Sequence, residues 1–256
     1  MKNIPTPLDI LPSKFHKIIL KAYGLGIFTT CYRPEAIAGR PTIPILAFRM
    51  PNGTINSGCD LDFDHACEKA VAELLERHAV FFPNKKDEMV IASWAEMKTK
   101  NAVNPSRFCG FSENQLDQKE YAYCRLSDET KFSWTKGLSL TDGKEYFIPA
   151  QFIYIKHELL PQEPHIRQTT TNGAAAGISW EMATYKAVCE AIERDALMIH
   201  WLNKISPPRI EIDSLYSLRN EKIEILLHYY QKYKIDFVLL DITTDIEVPT
   251  VLTVVR

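Results

Sequence analysis

Hydrophobic and polar positions along the chain change period several times, and each change marks an element. In DFDHACEKAVAELLERHAV the apolar positions Cys67, Ala70, Val71, Leu74 and Leu75 recur three and four apart, which predicts an amphipathic helix with Asp62 or Asp64 as its N-cap. Just upstream, PILAFRM and TINS flank the turn PNG and predict a pair of strands. Residues 81–118 carry no sustained period and predict loops with a short helix. EYAYCRL, FSWTKGLSL and EYFIPAQFIYI then read as β, the last two joined by TDGK, where Asp-Gly favours a hairpin. A second long helix is predicted from about Trp180 to Leu202, behind the small, turn-rich TTTNGAAAGIS and ahead of Ser206-Pro207-Pro208. The amphipathic SLYSLRNEKIEILLHYYQKY predicts a further helix, leading into strands IDFVLLDITTD and VPTVLTVV. Helices and strands alternate without βαβ regularity, so the predicted class is α/β of the mixed α+β kind, with amphipathic helices on mixed sheets.

The chain closes on VLTVVR, which reads as a central strand. The expectation is therefore that residues 1–256 are the N-terminal and central portion of a single domain. Its C-terminal part would be absent here or supplied by a separate chain.

The two long helices are near copies, KAVAELLERHA from Lys69 and KAVCEAIERDA from Lys186. On a helical wheel Lys69, Glu73 and Glu76 share a narrow stripe opposite the apolar face, and Lys186, Glu190 and Glu193 share the corresponding one. Arg77 and Arg194 stand to one side. Small residues flank both stripes: Ala66, Ala72 and Ala79, then Ala183, Ala187 and Cys189. Either stripe alone is a solvated Lys–Glu face, with each pair contributing about 0.2–0.5 kcal/mol. The matched pair supports a sharper reading, in which four carboxylates meet across a gap with cations between them. Oxygen-rich sites of that kind suit Mg²⁺ bridging to phosphates. TNGAAAG, with Asn172, Gly173 and Gly177 before a helix N-terminus, is either a plain tight turn or a bay for phosphate.

Composition narrows the classes. The formal net charge is −2, so no basic field attracts nucleic acid or an anionic membrane. The longest apolar runs fall well short of the roughly 20 residues of a spanning helix, and the N-terminus lacks a secretory core. The six cysteines form no CxxC and no zinc-ligand spacing, which predicts free, buried or half-buried thiols in a reducing cytoplasm. His78 and the tyrosines Tyr229 and Tyr230 read as packing residues, and Cys189 as a small packing residue without an activating neighbour.

From about residue 20 to 256 the chain resembles the YcaO-domain family. The resemblance rests on TNGxAAG followed by xxCExIERDA (Thr171 to Ala196), the earlier xxExxER helix, the Trp-containing strand with its hairpin and "VPA"-like strand, and the paired late strands. It implies a cytoplasmic, ATP- and Mg²⁺-dependent enzyme that phosphorylates a backbone amide oxygen of a ribosomally made precursor peptide. In azoline formation a Cys, Ser or Thr side chain attacks the preceding carbonyl, and loss of phosphate gives a thiazoline or oxazoline. Thioamide and amidine formation are the related chemistries, and a peptide-recognising partner protein is expected. Carried over by residue, the resemblance makes Glu73, Glu76, Glu190 and Glu193 metal ligands. It makes Ala70, Arg77, Asn172, Lys186 and Arg194 nucleotide-binding positions, and names no catalytic residue. Three departures stand out. Ala70 replaces the Ser that opens the first motif; Met182 and Lys186 replace the first Glu and the Gln of ExxxQxxxE; and the motif RxxxE, with the family's proline-rich tail, is expected beyond residue 256. They keep a second reading open, a degenerate or truncated subunit that scaffolds an active homologue or presents the peptide.

Overall fold

A computed structural model describes residues 8, 11–35, 43–81, 89–118, 125–211 and 219–255. The chain divides into two compact units, one built from Met1–Glu76 with Asn172–Arg256 and the other from Arg77–Thr171.

The first unit opens with α1 (Ser13–Gly24), a helix not foreseen from the pattern, which buries Phe15, Ile19 and Ala22 along one face. An antiparallel sheet follows in the order β1 (Thr30–Tyr32), β2 (Ile45–Arg49), β3 (Ile55–Cys59). The predicted turn joins β2 to β3, with Gly53 at φ +86 and the Thr54 amide donating to Asn52 Oδ1 at 3.0 Å. Leu46, Ala47 and Phe48 are buried in succession on the middle strand, so both its faces are covered, and Phe28 meets Phe48 edge-on at 4.9 Å. On β3 the usual alternation is inverted: Asn56 and Gly58 face inward while Ile55 is exposed. The reason is α2 (Phe63–Phe81), whose backbone lies directly over Gly58. Asp62 caps this helix by accepting the His65 amide at 3.1 Å, and its buried face is Ala66, Cys67, Ala70, Val71 and Leu74.

In the second unit, residues 81–118 hold more structure than loops with one helix. They contain strand β4 (Val90–Ser93), the one-turn helices α3 (Trp94–Met97) and α4 (Glu113–Leu116), and a 3₁₀ turn at Pro105–Phe108. Both short helices start with a capping box, Ser93 with Glu96 and Ser112 with Gln115, a local signal that apolar periodicity does not report. The Asp-Gly hairpin joins β5 (Lys131–Leu138) to β6 (Glu145–Pro149), in an antiparallel sheet of order β4-β5-β6. The stretch predicted as EYAYCRL spans residues 120–126, of which 120–124 lie outside the described residues. The core is Ala92, Met97, Phe132, Trp134 and Ile166, with the Trp134 indole N–H donating to the Ala92 carbonyl at 2.9 Å.

The first unit resumes with α5 (Trp180–Asn203), matching the predicted range and capped by Ser179 Oγ at 3.2 Å from the Met182 amide. A third antiparallel sheet, β7 (Arg209–Ile210), β8 (Phe237–Asp241) and β9 (Val251–Val255), is interrupted by α6 (Glu221–Gln231). Tyr229, Tyr230 and Tyr233 form an aromatic cluster, and Tyr230 meets Phe237 at 5.2 Å, as packing residues should. β9 is the last described strand of this sheet. Among the described residues it pairs with β8 alone, and Val251, Val254 and Val255 are exposed. Cys59 is also exposed, against the expectation that the thiols are at least half-buried, because β3 turns that side away from α2. No described helix is long and apolar enough to cross a membrane.

One polar cluster organises the second unit. The Glu163 carboxylate, fully buried, accepts from Ser133 Oγ at 3.1 Å, Gln151 Nε2 at 3.1 Å and the Leu160 amide at 3.3 Å, with His157 Nε2 at 3.5 Å. Gln151 also accepts the Ile166 amide at 3.0 Å, so the turn after β6 and the segment 160–166 are fixed to each other. Burial alone would raise the Glu163 pKa, but its bonds to His157, Leu160 and Gln151 outweigh burial and hold it below the ordinary 4.5. A depressed carboxylate stabilises fully above its unfolded pKa, and that contribution is lost as pH falls through the folded value. Glu163→Gln is therefore expected to cost on the order of 2 kcal/mol in urea unfolding at pH 7. The gap to wild type should begin to narrow as pH falls below about 4.5 and close only below the depressed folded value.

Candidate functional site

The site grows from two close backbone contacts. A Cβ on Gly58 would lie 2.2 Å from the Ala70 amide nitrogen and 2.3 Å from the Ala66 carbonyl oxygen. A Cβ on Gly177 would lie 2.5 Å from the Ala183 amide nitrogen. A Cβ on Gly173, which sits at φ +80, would lie 3.9 Å from the Ala187 carbonyl oxygen. Ala183 and Ala187 are the repeat equivalents of Ala66 and Ala70. In both copies, then, the segment before the helix lies with its backbone against the small residues, and only glycine allows that approach.

This packing turns the next residue, the lysine of each copy, toward a common groove. Its volume is about 810 Å³, and its walls come from α1 (Lys14, Phe15, Ile18), from β3–α2 (Asp60, His65, Glu68, Lys69, Val71, Ala72, Leu75) and from Ala176, Gly177 and Lys186. Every lining residue belongs to the first unit. Lys14 pairs with Glu68 at 3.0 Å and Asp64 at 3.2 Å, which raise its pKa. Lys69 sits 2.8 Å from Asp60 and, with the Asp62 amide, holds that carboxyl down at about 2. Lys186 differs from both. Among the described residues it has no carboxylate partner, and its one hydrogen bond is a long one to the Ala176 carbonyl at 3.4 Å. A volume of this size is normal for a small-molecule site, for which about 300–1,000 Å³ is typical. Apolar walls beside a cation suit a planar, anionic ligand.

Of the nine residues singled out in the sequence, the groove takes in Lys186 alone. Ala70 is fully buried beneath Gly58 and lies outside the groove lining. Asn172 is exposed, is not without a partner, and lies outside the groove lining. Arg194 turns to Glu190 at 3.7 Å, and Arg77 is half-buried in the second unit. The glutamates do not converge. Glu73 and Glu76 are half-buried and engaged by neighbours, Glu190 has its arginine, and Glu193 is exposed. Among the described residues no three His, Cys, Asp or Glu side chains are grouped to hold a metal ion. The residues present thus fit a nucleotide better than a preformed Mg²⁺ cluster. The α1 wall was missed because MKNIPTPLDILPSKFHKIIL was read only for a secretory core, although Phe15, Ile19 and Ala22 carry helical spacing.

A family profile described as YcaO cyclodehydratase, ATP- and Mg²⁺-binding, matches residues 57–256. The chain belongs to the YcaO family. It is 27% identical over 221 residues to an uncharacterized protein in the tfuA 3′ region of Rhizobium leguminosarum bv. trifolii, covering 83% of this chain and 48% of that protein. To an uncharacterized protein of Methanothermobacter thermautotrophicus it is 29% identical over 128 residues, 49% of this chain and 32% of the other. Its fold is similar to a heterocyclase in complex with substrate and cofactor, with TM-score 0.78, 22% identity and coverage of 94% of this chain and 35% of that one. The YcaO protein of Methanopyrus kandleri bound with AMPPCP and Mg²⁺ aligns with TM-score 0.60 and 19% identity, over 89% and 52% of the two chains. A chain of the E. coli microcin synthetase McbBCD complex with pro-MccB17 bound aligns with TM-score 0.62 and 18% identity, over 88% and 54%. The chain thus spans about half the length, or less, of these curated relatives. At these identities the structural likeness shows the mixed α/β fold of YcaO heterocyclases.

The glycine contacts can be tested in this YcaO chain. Gly58→Ala is expected to lose about 2–3 kcal/mol in urea unfolding, the cost of overpacking against backbone that cannot move aside. Gly24→Ala, where nothing lies within 4 Å, should change stability by less than about 0.5 kcal/mol.

Proposed function

We propose that this chain is the nucleotide-binding part of a YcaO-type, ATP-dependent cyclodehydratase acting on a backbone amide of a ribosomally synthesised peptide. The observation that carries the reading is the groove of the first unit, apolar on the α1 and α2 side and cationic at Lys69 and Lys186. Membership of a family described as ATP- and Mg²⁺-binding supports it. ATP supplies the phosphoryl group that converts the amide oxygen into a leaving group. A Cys or Ser/Thr side chain then closes on the carbonyl carbon. The amide oxygen departs in phosphate, and the protons of the nucleophile and the amide nitrogen are released. The residues of this chain bind and orient: Phe15, Ile18 and Val71 shield the ligand from water, and the lysines face its charge. Among the described residues no three acidic side chains are grouped to hold Mg²⁺, so the ion would accompany the nucleotide as its counter-ion. The substrate is a precursor peptide brought by a peptide-recognising partner protein.

A second reading has its own observation. α5 buries only Ala196 and exposes Trp180, Tyr185, Trp201 and Leu202, as a subunit docked on another protein would. In that case the chain scaffolds an active homologue or presents the peptide to it.

Calorimetric titration with Mg·ATP should detect binding, and Ala72→Phe, which fills the groove, should weaken it at least about tenfold while leaving thermal unfolding near wild type. Unchanged affinity in that variant removes the groove from the reading. Peptide-dependent phosphate release separates the two functions: an active enzyme shows it, and a scaffold binds without it.

A further inference from the structure

We infer that a pocket in the second unit binds the primary ammonium group of a short alkyl chain, whether that chain is a lysine side chain of a peptide or a free alkylamine. Every lining residue lies within Arg77–Thr171, so the inference stands apart from the groove and its nucleotide. The cavity has a volume of about 180 Å³. A cavity of about 150 Å³ already admits benzene, so a short alkyl chain fits. Met89, Ile91 and Leu160 supply its apolar wall, and Ser133 and His157 its buried polar one.

That polar wall offers acceptors. Behind it the fully buried Glu163 carboxylate accepts from Ser133 Oγ at 3.1 Å and lies 3.5 Å from His157 Nε2. An ionised carboxylate can only accept, so Ser133 gives it its one hydroxyl proton and His157 carries its proton on Nε2. The Ser133 oxygen keeps its lone pairs, and the neutral His157 ring keeps one at Nδ1. A ligand that reaches both must donate. The wall also carries charge. With Gln151 Nε2 and the Leu160 amide, the four donors around Glu163 are all neutral, and no lysine or arginine pairs with it among the described residues. At the rim Lys156 and Glu158 offset one another, and Lys156 lies over the Phe81 ring at 5.6 Å. A buried carboxylate without a counter-ion attracts a cation strongly, because little solvent screens it. Gln151 also bonds the Pro164 carbonyl and the Ile166 amide, so the carboxylate is in place before any ligand arrives. An ammonium has three donors and no acceptor, and it satisfies the lone pairs and the charge together. An anion meets repulsion on both counts, and a neutral alcohol answers the lone pairs alone.

The test uses the full chain at neutral pH, with n-butylammonium chloride as the probe and NMR of isotope-labelled histidine rings as the readout, His157 being assigned from His157→Gln. The probe should shift the His157 signal saturably, and n-butanol, of the same shape without the charge, should bind at least about tenfold more weakly. Glu163→Gln removes the charge and keeps an acceptor, and it should also weaken binding at least about tenfold. Since that variant is expected to be less stable, Ile91→Trp gives a second check. At an exposed lining position it should keep the wild-type melting curve and block the pocket to the same degree. N-acetyl-lysine amide identifies the source: affinity equal to that of n-butylammonium assigns the pocket to a lysine side chain, and affinity at least about tenfold lower assigns it to a free amine, both upholding the ammonium. A His157 signal that ignores n-butylammonium overturns the inference. So does equal binding of butanol and butylammonium, or wild-type affinity in Ile91→Trp or in folded Glu163→Gln.

Discussion

The approach of bare backbone to a helix governs most of what the first unit can do. Gly58 on β3 and Gly177 before α5 each bring main-chain atoms within van der Waals range of main-chain atoms on a helix. Such contacts leave no room for a side chain, so the helix positions beneath them are small: Ala66 and Ala70 in one copy, Ala183 in the other. Once those faces are fixed, the helical period sets where every other residue of the repeat points. Lys69 stands beside buried Ala70, and Lys186 beside Ala187, so both lysines emerge at the rim of the packed seam. The repeat is thus a repeat of packing first, and its charges follow from that packing.

The same constraint explains why Ala70 can stand where the family pattern opens with a hydroxyl. The residue has no solvent exposure and a strand backbone over it. A serine hydroxyl there would need a partner inside the seam, because a buried unsatisfied hydroxyl costs more than a bond contributes. Alanine avoids the problem and keeps the close approach. Ala70 therefore reports how tightly β3 and α2 pack in this member, while its neighbour Lys69 lines the groove.

What the sequence made legible was the repeat, the caps and the turns. Asp62 and Ser179 are caps by residue type and position, the PNG and TDGK turns are local chemistry, and α5 occupies its predicted range. Elements set by non-local packing were not legible. β3 buries Asn56 and Gly58 and exposes Ile55, the reverse of what its residues suggest, because the covering surface is a helix backbone and not a pool of side chains. α3 and α4 are too short for a period to show, and their signal is the capping box instead. The candidate site was half legible. The wheel separates the faces of each helix but cannot say which face meets a cavity. The groove runs along the neighbouring face of α2, Glu68, Ala72 and Leu75, and meets the stripe at Lys69, while the wall it shares with α1 lies more than forty residues upstream of α2, beyond the reach of any local pattern.

The lining gives the groove its chemistry. Along α2 it runs from His65 and Glu68 past Lys69 to Val71, Ala72 and Leu75, so charged side chains stand at one end and apolar ones at the other. Asp60, held ionised by Lys69 down to about pH 2, neutralises one cation, and Glu68 and Asp64 offset Lys14, which leaves Lys186 as the lysine of the lining without a carboxylate partner among the described residues. A groove charged at one end and apolar at the other would fix the orientation of a ligand divided in the same way, and a fixed orientation is what a reaction at one end of that ligand requires.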